Sequence, residues 1–175
     1  TLTRTGLNDV ERLLDEDELL PYELDPHKIK QDFLRHGLYA QKVTANVMGS
    51  EKFIGFQTEK EIQRIAESGV KQHDVIWHID NARIGVEIEL TAKWNRPFDQ
   101  FIIGCAQSIS SGAVNQLFLI SDAPAIIKRY KQALTGGNQI PRWVQNKKRF
   151  WETNGLFTLP EGIERKVLCQ EFKDY

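Results

Sequence analysis

Residues 74–90 constrain the fold more than any other stretch. Asp74-Val-Ile-Trp-His-Ile-Asp80 alternates as a strand, and after Asn81-Ala82 the chain runs Arg83-Ile-Gly-Val-Glu-Ile-Glu-Leu90 as a second. Two such runs joined by so short a link predict an antiparallel hairpin. Within the second run Val86, Ile88 and Leu90 share one face and Glu87 and Glu89 the other, because strand side chains alternate with period two. Two carboxylates then stand roughly 7 Å apart on one face. A turn at Asn81-Ala82 sets Glu89 opposite Asp74, Glu87 opposite Ile76 and Gly85 opposite His78, to within one turn residue, so that Asp74, His78, Glu87 and Glu89 converge.

Crowded carboxylates repel unless a cation neutralises them, which points to an oxygen-lined site for a hard divalent ion. Magnesium is the expected ion, with manganese as a substitute. The plain alternative is a pair of glutamates on the wet side of an exposed hairpin. An acid at the start of the partner strand, a preceding segment bearing Glu59, Glu61 and Glu67, and the following Lys93, Trp94, Asn95 and Arg96 favour the site. Acids and cations side by side suit a phosphodiester. His78 fits a general base or ligand, and equally a hydrogen-bonded, half-buried imidazole.

The rest of the chain supplies elements to cover such a hairpin. Leu7 to Leu20 and Pro26 to His36-Gly37 show helical spacing, and Ala45 to Phe56 reads as a mobile or variable segment. Thr58-Glu-Lys-Glu61 is a capping box opening a helix that Gly69 ends. Phe98 to Ser110 and Pro124 to Leu134 read as helices around the buried strand Asn115 to Ser121. Residues 136–150 lack periodicity, and short strands are expected at Leu156 to Leu159 and Lys166 to Leu168. The expected fold is α/β, a central mixed sheet with the acidic antiparallel hairpin, flanked by helices. A single domain over 1–175 is expected, with a helical N-terminal region over residues 1–56 and a core over residues 58–134.

With 23 basic and 24 acidic residues the net charge of −1 gives no global case for a polyanion partner. Its distribution says more. Residues 1–25 hold eight acids against Arg4 and Arg12, whereas residues 123–150 hold seven bases and no acid: Lys128, Arg129, Lys131, Arg142, Lys147, Lys148 and Arg149. A phosphate-facing edge on the acidic side of the hairpin is expected, against the alternative of a solvated basic face. Cys105 and Cys169 are too few for a disulfide framework and lie in no zinc-like array. Apolar runs reach only five or six residues, so the chain is expected to be cytoplasmic, without a membrane span.

Asp74, twelve intervening residues and then Glu87-Ile88-Glu89 resemble the PD-(D/E)xK nuclease superfamily, whose pattern is an acid on one strand and D/E-x-K on its neighbour. Val86-Glu-Ile-Glu-Leu-Thr-Ala-Lys-Trp-Asn95, with Phe98-Asp99 opening a helix, is similar to orthodox Type II restriction endonucleases, some of which carry Glu or Gln in place of the lysine. The resemblance covers roughly residues 58–134. It implies a restriction endonuclease-like fold and magnesium-dependent cleavage of double-stranded DNA by a homodimer, leaving a 5′-phosphate and a 3′-hydroxyl. Metal ligands would be Glu87 and an Asp of the first strand, Asp74 or Asp80, with Glu89 activating water and His78 a further catalytic candidate. Lys93, Asn95, Arg96, Arg142, Lys147, Lys148 and Arg149 are the expected nucleic-acid contacts. Glu87→Ala is then expected to act on chemistry and spare the fold. The rival readings are a non-catalytic nucleic-acid-binding or scaffold domain with a degenerate nuclease fold, and a metal-dependent enzyme acting on a small phosphorylated substrate.

Overall fold

The computed structural model describes residues 31–65 and 71–172. The expected helix Leu7 to Leu20 and the Gly69 stop lie outside the described residues. The chain divides into two compact units, Thr1–Leu38 and Tyr39–Tyr175. The second contains a five-stranded mixed sheet, β1 (Phe53–Thr58), β2 (Val75–Ile79), β3 (Ala82–Ile88), β4 (Gln116–Ser121) and β7 (Val167–Glu171) in that spatial order, and a separate two-stranded ribbon of β5 (Gln139–Gln145) and β6 (Trp151–Thr158).

Helix α1 (Gln31–Met48) continues past Gly37, where a stop was expected, and takes in the start of the supposed mobile segment. Tyr39 and Val43, one helical turn apart, pack on Val75, Trp77, Val86, Ile88 and Ile120. Their burial outweighs the intrinsic cost of a helical glycine, about 1 kcal/mol. The Trp77 indole N–H donates to Thr44 Oγ1 at 3.0 Å, so this tryptophan fills the core and has no ring free for base stacking. The remainder of the segment forms β1 (Phe53–Thr58), antiparallel to β2. It was illegible because it is an edge strand with Ile54 and Phe56 exposed, lacking an apolar-in pattern.

The capping box forms as expected. Thr58 N–H and Oγ1–H donate to Glu61 Oε2 at 2.6 and 2.7 Å, and Glu61 N–H returns to Thr58 Oγ1 at 3.4 Å, opening α2 (Glu59–Ile65). These bonds to Thr58 hold the Glu61 carboxyl below its ordinary range. Its contribution is therefore complete above the ordinary value of 4.5 and lost as pH falls through the lowered one. Thr58→Ala should lower stability by about 1 kcal/mol. Urea unfolding checks this as a lower midpoint with an unchanged slope.

Strands β2 (Val75–Ile79) and β3 (Ala82–Ile88) make the hairpin, β3 pairs in parallel with β4 (Gln116–Ser121), and β4 in parallel with β7 (Val167–Glu171). Between β3 and β4 runs α3 (Asn95–Ser110), starting three residues before the expected Phe98, and α4 (Pro124–Ala133) follows β4 with Pro at its first turn. Ile76, Leu117 and Leu119 meet Phe101, Ile102, Cys105 and Ile109 of α3 and Ile126 and Tyr130 of α4. Each fully buried aliphatic side chain among them contributes roughly 1.5–3 kcal/mol. The two faces are thus covered by the Tyr39 to Met48 part of α1 on one side and by α3 and α4 on the other.

The aperiodic stretch 136–150 contains β5 (Gln139–Gln145), antiparallel to β6 (Trp151–Thr158), of which the expected strand at Leu156 is only the end. Alternation is missing because β6 is exposed at seven of its eight positions. Ile140 and Leu159 root the ribbon in the α3 side of the core. Among the described residues no helix is long and apolar enough to cross a membrane.

Candidate functional site

The hairpin register differs from the expected one by two residues. Ile79 pairs with Ala82, so the loop is Asp80-Asn81, with Asp80 at φ 49°. Asp-Asn tolerates the left-handed turn conformation that a two-residue hairpin requires, and Ala82 does not. Ile76 now faces Gly85, and the ladder ends at Val75 opposite Val86, with Asp74 at the entry to β2. Two backbone contacts fix that end: Asp74 N–H donates to Val86 O at 3.1 Å, and Ile88 N–H donates to Asp74 Oδ2 at 2.7 Å. Glu89 extends the strand, its N–H donating to Ile120 O at 2.8 Å.

Glu87 and Glu89 share one face as the alternation requires, but that face is not wet. They are 2% and 3% exposed, beneath α3 and α4. Burial of two carboxylates demands partners. Glu87 Oε1 accepts Lys71 Nζ at 2.5 Å and meets His73 Nδ1 at 2.6 Å, and His73 Nε2 in turn meets Ser108 Oγ of α3 at 2.8 Å. Glu89 Oε1 pairs with Lys93, one helical turn's spacing onward, and Glu89 Oε2 accepts Tyr130 Oη–H at 3.0 Å. Both lysine ammonium groups lie over the Phe101 ring, at 4.9 and 4.7 Å. Gly85 is required beside them: a Cβ there would stand 2.8 Å from His73 Nδ1 and Cε1.

The electrostatics follow from this packing. Burial raises the Glu89 carboxyl above its ordinary range, opposed chiefly by Lys93. Burial works most strongly against the Lys71 charge, and Glu87, Cys105 and Asp74 together more than offset it, so the ammonium loses its proton only above its ordinary range. Burial, with Glu89 second, raises the Tyr130 hydroxyl. Cys105 is fully buried under the cluster, and burial followed by Glu87 pushes its thiol well up, leaving it an inert core residue.

Of the expected site residues, Asp74, Glu87, Glu89 and Lys93 come together. His78 does not: it is half-buried between Gly55 and Arg83, about 13 Å along the strand from Asp74. Asp80 sits at the far turn, exposed and 3.5 Å from Lys52 Nζ. Of the two strand carboxylates left open, Asp74 is the one beside Glu87. Lys93 is turned onto Glu89, while Asn95 and Arg96 occupy the first turn of α3, with Arg96 stacked 4.2 Å from the Trp151 ring. Arg142 lies over Phe157 at 5.2 Å, and Lys147, Lys148 and Arg149 are exposed at the ribbon tip. The ribbon is tied to α3 by the Trp143 indole N–H, which donates to Asp99 Oδ2 at 2.8 Å. The basic tract therefore grows from the side of the sheet that carries Glu87 and Glu89.

Sequence reasoning missed Lys71, His73, Ser108 and Tyr130. Ser108 and Tyr130 reach the site across 35 and 41 residues of sequence, with no local pattern to announce them. Lys71 and His73 precede the strand, outside its alternation.

Among the described residues no group of three or more His, Cys, Asp or Glu is placed to hold a metal ion. Magnesium does not demand one, since it retains several waters and is bound by one or two carboxylates together with substrate phosphates. Asp74 and Glu87 are hard oxygen donors of that kind, with Asp74 Oδ2 accepting the Ile88 N–H and Glu87 Oε1 contacting Lys71 and His73. Comparison of the chain with protein-family models, with curated proteins and with solved structures finds no match.

Proposed function

We propose that this chain is a magnesium-dependent endonuclease of double-stranded DNA of the orthodox restriction type. The observation that carries the reading is the position of Asp74 at the entry to β2, bonded to the Ile88 N–H next to Glu87, with Glu89 two residues on and an ammonium group on each glutamate. The D/E-x-K pattern lacks its lysine in this sequence, and Lys71 and Lys93 bring equivalent positive charge to the same two side chains. Asp74 and Glu87 would hold the ion, which when bound supplies charge stabilisation to the phosphate.

The remaining work falls to this chain's own groups. Glu89, made more basic by burial, takes the proton of the attacking water, and Tyr130 and Lys93 fix the orientation of its carboxylate. Lys71 exchanges Glu87 for phosphate oxygen as the substrate arrives, and its persistent charge favours the pentavalent transition state. His73, buttressed by Ser108, keeps Glu87 in place during that exchange. The β5–β6 ribbon, with Arg142, Lys147, Lys148 and Arg149, supplies phosphate contacts beyond the site. A palindromic substrate calls for a two-fold homodimer.

One observation favours a second reading, a non-catalytic domain of degenerate nuclease fold: Glu87 and Glu89 are each already ion-paired within the chain. Long mixed-sequence DNA incubated with the protein separates the two. The enzyme reading expects discrete fragments in Mg²⁺ and none in EDTA, whereas intact DNA in both Mg²⁺ and Mn²⁺ supports the non-catalytic domain.

A further inference from the structure

We propose that Arg129 is a phosphate-binding residue, its guanidinium clamped between the rings of Trp94 and Phe98 and taking a backbone phosphate of the strand that lies over Glu89. The proposal rests on the nucleic-acid reading of the site. Arg129 stands apart from the other arginines of the basic tract. Its Cζ lies 3.9 Å from the Trp94 ring centroid and 4.0 Å from that of Phe98, so both faces of the guanidinium are covered. Arg96 and Arg142 each lie over a single ring.

One nitrogen on its edge is unserved. Nη1 is buried without a hydrogen bond, and among the described residues no carboxylate pairs with the guanidinium. Buried donors in folded proteins almost always have a partner, and one held rigid and unpaired calls for an absent acceptor. A planar guanidinium matches two oxygens of one phosphate, and its immobilisation between rings removes most of the ordering cost on binding.

The position is next to the chemistry. Tyr130, the following residue, donates to Glu89 Oε2, and Phe98 meets Tyr130 edge-on at 5.0 Å. The Arg129 charge reaches the Tyr130 hydroxyl, where it works against the upward shift. Lys93, on Glu89, precedes Trp94 in the chain. Helix α3 begins immediately after Trp94 with no side-chain cap and no acid in its first turn, so its positive end adds to the same field. Trp94 is 65% exposed, so the stack lies at the surface, where a phosphate can approach the edge of the guanidinium.

The test uses the whole chain and a short mixed-sequence duplex in Ca²⁺, which permits binding without turnover. Arg129→Gln should bind roughly tenfold more weakly, with a salt dependence shallower by about one. Arg129→Lys should recover only a fraction of the affinity, because an ammonium cannot make the paired contact. Duplex binding should also change tryptophan emission in the parent, and Trp94→Phe should lose that change while still binding. Equal affinity and equal salt dependence in Arg129→Gln would overturn the proposal, and a lowered melting temperature with undiminished binding would mark the stack as structural only. Should the parent bind no duplex, the nucleic-acid reading fails separately. Pyrophosphate titrated against the Arg129 Nε–H resonance then decides: a saturable shift keeps a phosphate site, and no shift removes it.

Discussion

Glu87→Ala should destabilise the fold by roughly 3–5 kcal/mol and abolish cleavage together. The expectation that this substitution spares the fold assumed a wet face, and the side chain is 2% exposed. Truncation strands two buried groups at once, the Lys71 ammonium and the His73 ring, both of which rest on Oε1. Breaking one partner of a buried pair is far more damaging than replacing the pair by apolar groups. For a chain of this size the loss corresponds to a fall of roughly 6–20 °C in melting temperature. Glu87→Gln separates the two effects. The amide keeps the volume and an oxygen for Lys71, so the loss of stability should be smaller than in Glu87→Ala, while loss of the negative charge should reduce cleavage by about 10²–10³-fold or more. Thermal unfolding and cleavage of the same preparations check both statements. A Gln variant that melts like the parent and cuts at the parental rate would leave Glu87 a purely structural acid.

Glu89→Gln should lower the cleavage rate by about 10²–10⁴-fold, the range for loss of a general base. It should also change the pH dependence in a way a structural role does not. Burial holds the Glu89 carboxyl above its ordinary value of 4.5, so the folded state binds this proton more readily than the unfolded chain. The stability that follows is complete below 4.5 and is lost as pH rises through the raised value. The Gln variant lacks this loss, and its stability relative to the parent should therefore rise across that window. In the parent the cleavage rate should climb with pH over the same interval as the base ionises, and that limb should be missing from Glu89→Gln. Parallel stability and rate profiles in the two proteins would remove Glu89 from the chemistry.

How much of this was legible depends on where each contact lies in sequence. Val86, Ile88 and Leu90 against Glu87 and Glu89 follow from period two alone, as the capping box follows from Thr58 and Glu61 three residues apart. The register departs from the expected one because the turn is Asp80-Asn81 and not Asn81-Ala82. Asp80-Asn81 carries the stronger turn chemistry, and with it the ladder ends at Val75 opposite Val86, bringing Asp74 beside Ile88. The edge strand β1 and the ribbon strands were hidden because their exposed residues carry no apolar alternation. Gly37 misled because propensity is a weak guide where Tyr39 and Val43 bury a face. The state of the carboxylates was the larger gap. Nothing between residues 74 and 90 says that α3 and α4 close over Glu87 and Glu89, and the lysines that neutralise them come from outside the hairpin.

The central claim is that Asp74 and Glu87 jointly hold a divalent ion that drives phosphodiester cleavage. Single-turnover cleavage of long mixed-sequence DNA, followed against Mg²⁺ concentration for the parent, Asp74→Asn and Glu87→Gln, tests it most directly. The account predicts a saturable, Mg²⁺-dependent rate in the parent, suppressed by EDTA and restored by Mn²⁺, and no such dependence in either folded variant. Parental cutting that persists in EDTA, or cutting by Glu87→Gln at the parental rate, would contradict it.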